Sequence, residues 1–287
     1  MPLWTPTKIT TSLWLDGSDS STLYDAVSGG SLVAANGAIA RWEDKSGNTR
    51  HVTQSTAGAR PARKTSVQNS LDAVLFDGGD YLENTSSSPI PTDAKTIVCV
   101  VKSSDATGGT IINNTRSSPS STRWVSRLLK IGSNFIAGDT TTVNVTTSTD
   151  FSTAMQSAFL ATWTQTSSTR ATNFWTNGTS RSASGTVAAE SSTTGFRIGV
   201  LVSAVPAFIQ YWNGHMMEIV CMNEEASTDT RQKIEGYLAH KWGTTSSLDA
   251  GHPYKSVAPT VPGGGSPING QSLIRPADIR PAQLLIG

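Results

Sequence analysis

Apolar and polar positions alternate in short runs along most of this chain, and turn-forming residues separate the runs. SLWLDG (12–17), AIARWEDKSG (38–47), AVLFDGGDYLE (73–83), TIVCVVK (96–102), GTIINN (109–114), FLATWTQT (159–166), ATNFWTNGTS (171–180), FRIGVLV (196–202) and HMMEIVCMN (215–223) carry β-branched and aromatic residues between Gly, Asn, Asp and Ser. That is the pattern of strands. Asn177-Gly178 is the favoured pair for a two-residue hairpin turn, because both central positions need positive φ. Many short strands with little helix between them predict an all-β sandwich.

One segment departs from this period. STDTRQKIEGYLAHKWG (227–243) places Ile234, Tyr237, Leu238 and Trp242 at helical spacing, an apolar stripe along one face. Ser227 suits the N-cap, Asp229 the first turn, His240 and Lys241 the last turn, and Gly243 the position just past the end. The pattern predicts a single helix laid against a sheet. After HPY (252–254), VAPTVPGGGSPINGQ (257–271) reads as a Pro/Gly/Ser linker. The expected organisation is a sandwich over 1–255, a linker over 256–271 and an extended arm over 272–287.

That arm carries Ile-Arg-Pro-Ala twice. Each proline fixes φ and biases the arginine before it away from the helix, so Arg275 with Pro276 and Arg280 with Pro281 predict a stiff, extended strand of chain. Its side chains Ile274, Ile279, Leu284, Leu285 and Ile286 form an apolar series of the kind that marks a contact site. Together these nine residues are the candidate anchor, with Gly263, Gly264 and Gly265 allowing the sandwich to swing.

Composition narrows the function classes. The 287 residues include 15% charged residues and carry a formal net charge of +1, which gives no electrostatic case for nucleic acid. No polybasic run or long apolar stretch speaks for a membrane. The amino terminus lacks a basic region followed by an apolar one, so a chain made in the cytoplasm without a secretory signal is expected. Cys99 and Cys221 sit in β-rich runs and are expected as two buried free thiols, a cross-strand pair being the alternative. The four histidines show no zinc spacing. Asp16 with Asp19, and Asp77 with Asp80, offer oxygen ligands, but Asp-Gly is first a turn former. No metal or cofactor is expected.

Several motifs recur in a fixed order: LWLDGSDSSTL (13–23), RWEDKSGNTRHVTQ (41–54), ARPARK (59–64), AVLFDGGDYL (73–82), WNGHMMEIVCMNEEASTDTRQKIEGYLAHKWG (212–243) and HPY (252–254). This series resembles the laminin-G-like domains of the concanavalin A-like lectin/glucanase superfamily, in particular those of tailed-phage virion proteins, over roughly residues 3–255. The resemblance implies a jelly roll of two antiparallel sheets, a binding role often directed at glycans, and no required cofactor. At Thr230 the sequence departs from the family, where an acidic residue usually completes the capping box.

The same superfamily contains glucanases, whose hydrolysis needs two carboxyl groups close together. Along MEIVCMNEE (217–225) Glu218 is followed two residues on by Val220 and no acid joins it until Glu224, while Glu43 and Asp44 are adjacent and would face opposite sides of a strand, so neither run puts two acids close together on one face. No enzymatic activity is expected. Trp14, Trp42 and Trp242 are expected in the core. Trp124, between Arg123 and Arg127 in a hydroxyl-rich run, is a candidate glycan platform. The expected function is a non-enzymatic virion structural protein: a capsid decoration, head fibre or tail component attached through its arm. Its partners would be other virion proteins, as a homo-oligomer on the particle, with a host surface glycan as a further partner. The alternative is a glycan- or receptor-binding adhesion module, with a polysaccharide hydrolase behind it.

Overall fold

A computed structural model describes residues 1–91, 93–104, 108–116, 125–131, 134–137, 157–181, 193–204 and 207–261. The arm and the positions of Arg123 and Trp124 lie outside them. The predicted strands form two large antiparallel sheets, and Leu201–Ala204 pairs with Ala207–Ile209 in a separate two-stranded one. In hydrogen-bonded order the first runs Thr179–Arg181, Thr172–Thr176, Phe159–Gln165, Lys95–Ser103, Asn213–Met222, Leu71–Asp77 and Ala62–Gln68, and Leu13–Asp16 also pairs with Asn213–Met222. The second runs Asn134–Ala137, Val125–Ile131, Gly108–Arg116, Thr193–Ile198, Leu82–Asn84, Val52–Thr53, Arg41–Trp42 and Leu23–Tyr24.

Period-two alternation decides what each strand buries. Leu13, Leu15, Val74, Phe76, Ile97, Cys99, Val101, Ile219 and Cys221 of the first sheet share one buried cluster with Leu23, Trp42, Val52, Leu82, Ile112, Phe196 and Ile198 of the second. This is the core of a sandwich. The intervening residues Trp14, Ala73, Val98, Val100, Val220 and Met222 point the other way and pack with Ile234, Leu238, Ala239 and Trp242. The helix Thr228–Lys241 therefore covers the outer face of the first sheet. Burial on both sides explains why TIVCVVK reads as an unbroken apolar run rather than an alternating one.

The helix has the bounds its sequence predicts. Ser227 Oγ accepts from Thr230 N at 3.2 Å, satisfying one of the free amides of the first turn. Thr230 departs from the capping box, and its hydroxyl instead lies 3.0 Å from Ser227 Oγ. Gly243 ends the helix at φ 67°. The hairpin turn also has its expected form, with φ 49° at Asn177 and 77° at Gly178.

Other runs divide where turns intervene. FRIGVLV is two strands, because Gly199 takes φ 88° and the chain turns there. AVLFDGGDYLE is likewise split: Asp77 Oδ1 accepts from Gly79 N and Asp80 Oδ2 from Asp77 N, both at 2.9 Å. Cys99 and Cys221 are free, buried thiols. Past Tyr254 the chain continues to an antiparallel bridge between Leu3 and Thr260. No helix among the described residues is long and apolar enough to cross a membrane.

Candidate functional site

Two buried carboxylates hold the helix to its sheet, and the quoted motifs converge on them. Glu218 lies at the register position opposite Asp16, inside the sheet–helix layer with no exposure. Its Oε1 accepts from Trp14 Nε1 (2.7 Å) and Tyr237 Oη (3.1 Å). Its Oε2 accepts from Lys241 Nζ (2.6 Å) and Trp242 Nε1 (2.9 Å). Lys241 Nζ also reaches Asp16 at 2.7 Å, while Lys45 joins Asp16 at 2.9 Å to Asp19 at 2.7 Å. Burial and then the Asp16 charge push the Glu218 carboxyl up, against Lys241 and Trp14. Burial also works to raise Asp16, but Lys241, Lys45 and Ser18 outweigh it and hold that carboxyl below its ordinary value.

Glu235, also without exposure, makes the second clamp. It accepts from Thr162 Oγ1 (2.8 Å) and Arg231 Nη1 (2.7 Å), and His252 Nε2 of the HPY motif lies at 3.1 Å. The Arg231 guanidinium lies 4.2 Å over the Trp175 ring. Asp44 plays a similar part in its loop, accepting from the backbone of Trp14 and Arg50 at 3.0 Å and of Ser46 at 2.9 Å.

Sequence reasoning sought an acid pair along single strands and missed that Asp16 and Glu218 meet across two. The pair is not arranged for hydrolysis. Lys241 bridges it, and every Glu218 oxygen is already engaged by two donors in a layer closed to solvent, so no sugar or attacking water reaches it. The acidic turns also resolve locally. Asp16 and Asp19 pair with Lys45, and Asp77 and Asp80 accept amides of their own turn. Among the described residues no three His, Cys, Asp or Glu side chains gather as a metal site.

Burial, with Asp77 beside it, pushes the Asp80 carboxyl up to about 6. A carboxyl with a raised folded pKa stabilises the fold fully only below its ordinary value of about 4, and that contribution is lost as the pH rises through its folded pKa. We therefore expect Asp80→Asn to gain in melting temperature over the parent chain at pH 7 compared with pH 5. Equal differences at the two pH values would refute the shift.

With the motif residues committed to the scaffold, the face open to chemistry is the outer one of the second sheet. Antiparallel pairing sets Tyr24, Arg41, Thr53, Glu83, Arg197 and Asn113 side by side in one row across six strands. Their neighbours Leu23, Trp42, Val52, Leu82, Phe196 and Ile198 face the core. The Arg41 guanidinium lies 4.1 Å over the Tyr24 ring and pairs with Glu43 at 3.1 Å. Arg197 pairs with Glu83 at 2.7 Å and lies 5.7 Å from the Phe208 ring, which stacks on Tyr81 at 5.0 Å and 26°. All of these except Arg41 and Asn113 are half-buried, neither core nor free in solvent.

The sequence singled out none of these residues as a site. Their signal was present in the alternation of FRI, YLE and RW, where one position of each run feeds the core and the next the outer face. Of the sequence-predicted glycan residues, Arg127 takes the register position opposite Asn113, at the end of this row. Arg123, Trp124 and the nine anchor residues lie outside the described residues.

A cavity of about 400 Å³ opens at the other side of the molecule, lined by Leu3, Trp4, Thr5, Tyr237, His240, Lys241, Ala258 and Pro259.

No family model and no curated protein matches this sequence. Solved structures do align with it. A GH54 α-L-arabinofuranosidase soaked with a cyclic sulfate inhibitor aligns with TM-score 0.50 and 14% identity, covering 78% of this chain and 61% of its own. Domain 4 of AbnA, a GH43 extracellular arabinanase from Geobacillus stearothermophilus in complex with arabinotriose, aligns with TM-score 0.46 and 11% identity, covering 77% of this chain and 96% of its own. This chain thus spans about three fifths of the arabinofuranosidase. At 14% identity the likeness to the arabinofuranosidase shows a shared fold and no more.

Proposed function

We propose that this chain is a non-catalytic glycan-binding module that uses the outer face of its second sheet. The observation that carries the reading is the row from Tyr24 to Arg197, with Phe208 and Tyr81 stacked beside it. An aromatic face, negative at its centre, takes the C–H-rich side of a sugar ring. The adjoining guanidinium and carboxylate groups, held in place by their mutual ion pairs, offer donors and acceptors to its hydroxyls. Because Arg41 and Arg197 are each neutralised by a glutamate, the face suits a neutral sugar better than an acidic one.

The resemblance to tailed-phage virion proteins supports a setting for this module. On that reading the chain is a structural component of a particle, a capsid decoration, head fibre or tail position, and residues 272–287 attach it to a neighbouring virion protein. The sandwich is then what the particle displays to host surface glycans.

A glycan array probed with the whole chain, including arabinose-bearing oligosaccharides, tests the binding role. We expect a neutral-glycan signal that falls at least tenfold in Tyr81→Ala and in Arg197→Ala without a change in melting temperature. Binding unaltered by both substitutions would remove this face from the reading.

A further inference from the structure

The cavity beside the helix has a wall with little left to offer a polar ligand. Tyr237 Oη donates to Glu218, Lys241 Nζ is shared between Glu218 and Asp16, His240 Nε2 meets Tyr254 O at 2.8 Å, and Thr5 Oγ1 meets Thr7 Oγ1 at 2.8 Å. What remains is the apolar surface of Leu3, Trp4, Ala258, Pro259 and the Tyr237 ring, with Trp4 and Tyr237 edge to face at 6.2 Å. A volume near 400 Å³ lies within the ~300–1,000 Å³ of ligand-sized sites, and this wall selects an aliphatic occupant.

The rim is apolar as well. Met1, Leu3 and Val257 are 87%, 66% and 68% exposed, three of the six exposed large hydrophobic residues among those described. Leu3 pairs with Thr260, and Val261 N donates to Pro2 O at 3.0 Å, so the rim and the exit of the chain towards the linker coincide. Exposed apolar side chains beside an apolar cavity are the kind of surface that marks a contact site.

We propose that residues 284–286 of the same chain, Leu-Leu-Ile, dock in this cavity when the protein is free in solution. The chain leaves from the cavity rim at Val261, and the intervening segment is rich in Gly, Pro and Ser. At ~3.3 Å per residue extended, its 22 residues between 262 and 283 span far more than the distance needed to turn back. A tether of this length and composition also holds its own arm at roughly millimolar effective concentration, well above any second copy in dilute protein. The inference goes beyond the glycan-binding reading. It gives the apolar arm a covered resting place, from which a particle partner must displace it.

Cross-linking of the full-length chain tests this. Cys99 and Cys221 are 0% and 1% exposed, so a short bifunctional maleimide reacts under native conditions with thiols introduced at the surface. Leu3→Cys with Leu285→Cys is expected to give an internally linked monomer at several times the yield of Val27→Cys with Leu285→Cys, Val27 being an exposed apolar residue outside the cavity. Adding Leu284→Asp and Ile286→Asp should remove that excess. A cross-linked dimer as the main product would show that the arm serves a second copy, and equal yields from the two pairs would show that it docks nowhere near the cavity; either result overturns the proposal. Neither bears on glycan binding, which is read separately.

Discussion

Glu218→Ala is expected to destabilise the fold by about 3–5 kcal/mol, because removing the acceptor at the centre of a buried ion-pair network strands the donors gathered around it. In a domain of this size that lowers the melting temperature by on the order of 10 °C. The substitution acts at the junction of three elements. It takes an acceptor from Trp14 on one strand and from Tyr237, Lys241 and Trp242 on the helix. Lys241 keeps Asp16, which caps the loss, but two indole N–H groups and a phenol lose their partner in a layer closed to water. Orphaned buried donors of this kind are costly one by one. Glu83→Ala is the natural contrast. Its ion pair with Arg197 has side chains 28% and 18% exposed, and such pairs contribute at most about 1 kcal/mol. Thermal or chemical unfolding of both variants checks the difference, and comparable losses would mean that the buried network carries no special weight.

Local pattern foretold local structure. Ser227, the Ile234–Leu238–Trp242 stripe and Gly243 specify the helix without reference to anything else in the chain, and Asn177-Gly178 specifies its hairpin in the same way. Strand faces were equally legible, since Leu13 and Leu15 enter one core while Trp14 enters another. The short strands Leu23–Tyr24 and Val52–Thr53 were not, because two residues carry no period; they exist only through the neighbours that pair with them. Nor was the meeting of Asp16 with Glu218 legible. Those residues stand about two hundred positions apart, and only the pairing of Leu13–Asp16 with Asn213–Met222 joins them. A single run carries no record of the register that brings two acids together.

The same limit hid the candidate glycan face. Tyr24, Arg41, Thr53, Glu83 and Arg197 come from five strands, and each looks like an ordinary solvent-side residue in its own run. Register alone makes them a surface. The conspicuous motifs, by contrast, turned out to describe the scaffold. LWLD, EDKSG, the glutamate of MEIV, AHKWG and HPY all end in the clamps around Glu218, Asp44 and Glu235, where chemistry is used to hold a helix on a sheet.

Trp242 offers the second large effect and a direct test of that coupling. The side chain is wholly buried and packs with Ile234 and Leu238 against the outer face of the first sheet. Its indole N–H donates to Glu218, and Gln68 Nε2 donates to its carbonyl at 3.0 Å. Trp242→Ala is expected to cost about 3–5 kcal/mol, as large-to-small aromatic changes in a core do. Trp242→Phe keeps most of the packing and loses the donor, so a smaller cost of roughly 1–3 kcal/mol is expected from the polar imbalance left in the layer. If the donor matters through Glu218, the two sites cannot be independent. The double variant Glu218→Ala with Trp242→Phe should then lose less than the sum of the single losses, by about 0.5–3 kcal/mol, the range seen for residues sharing one network. Unfolding free energies of the four proteins in the cycle measure this term directly. Strict additivity would mean that Trp242 stabilises the helix by packing alone and that the bond to Glu218 contributes nothing of its own.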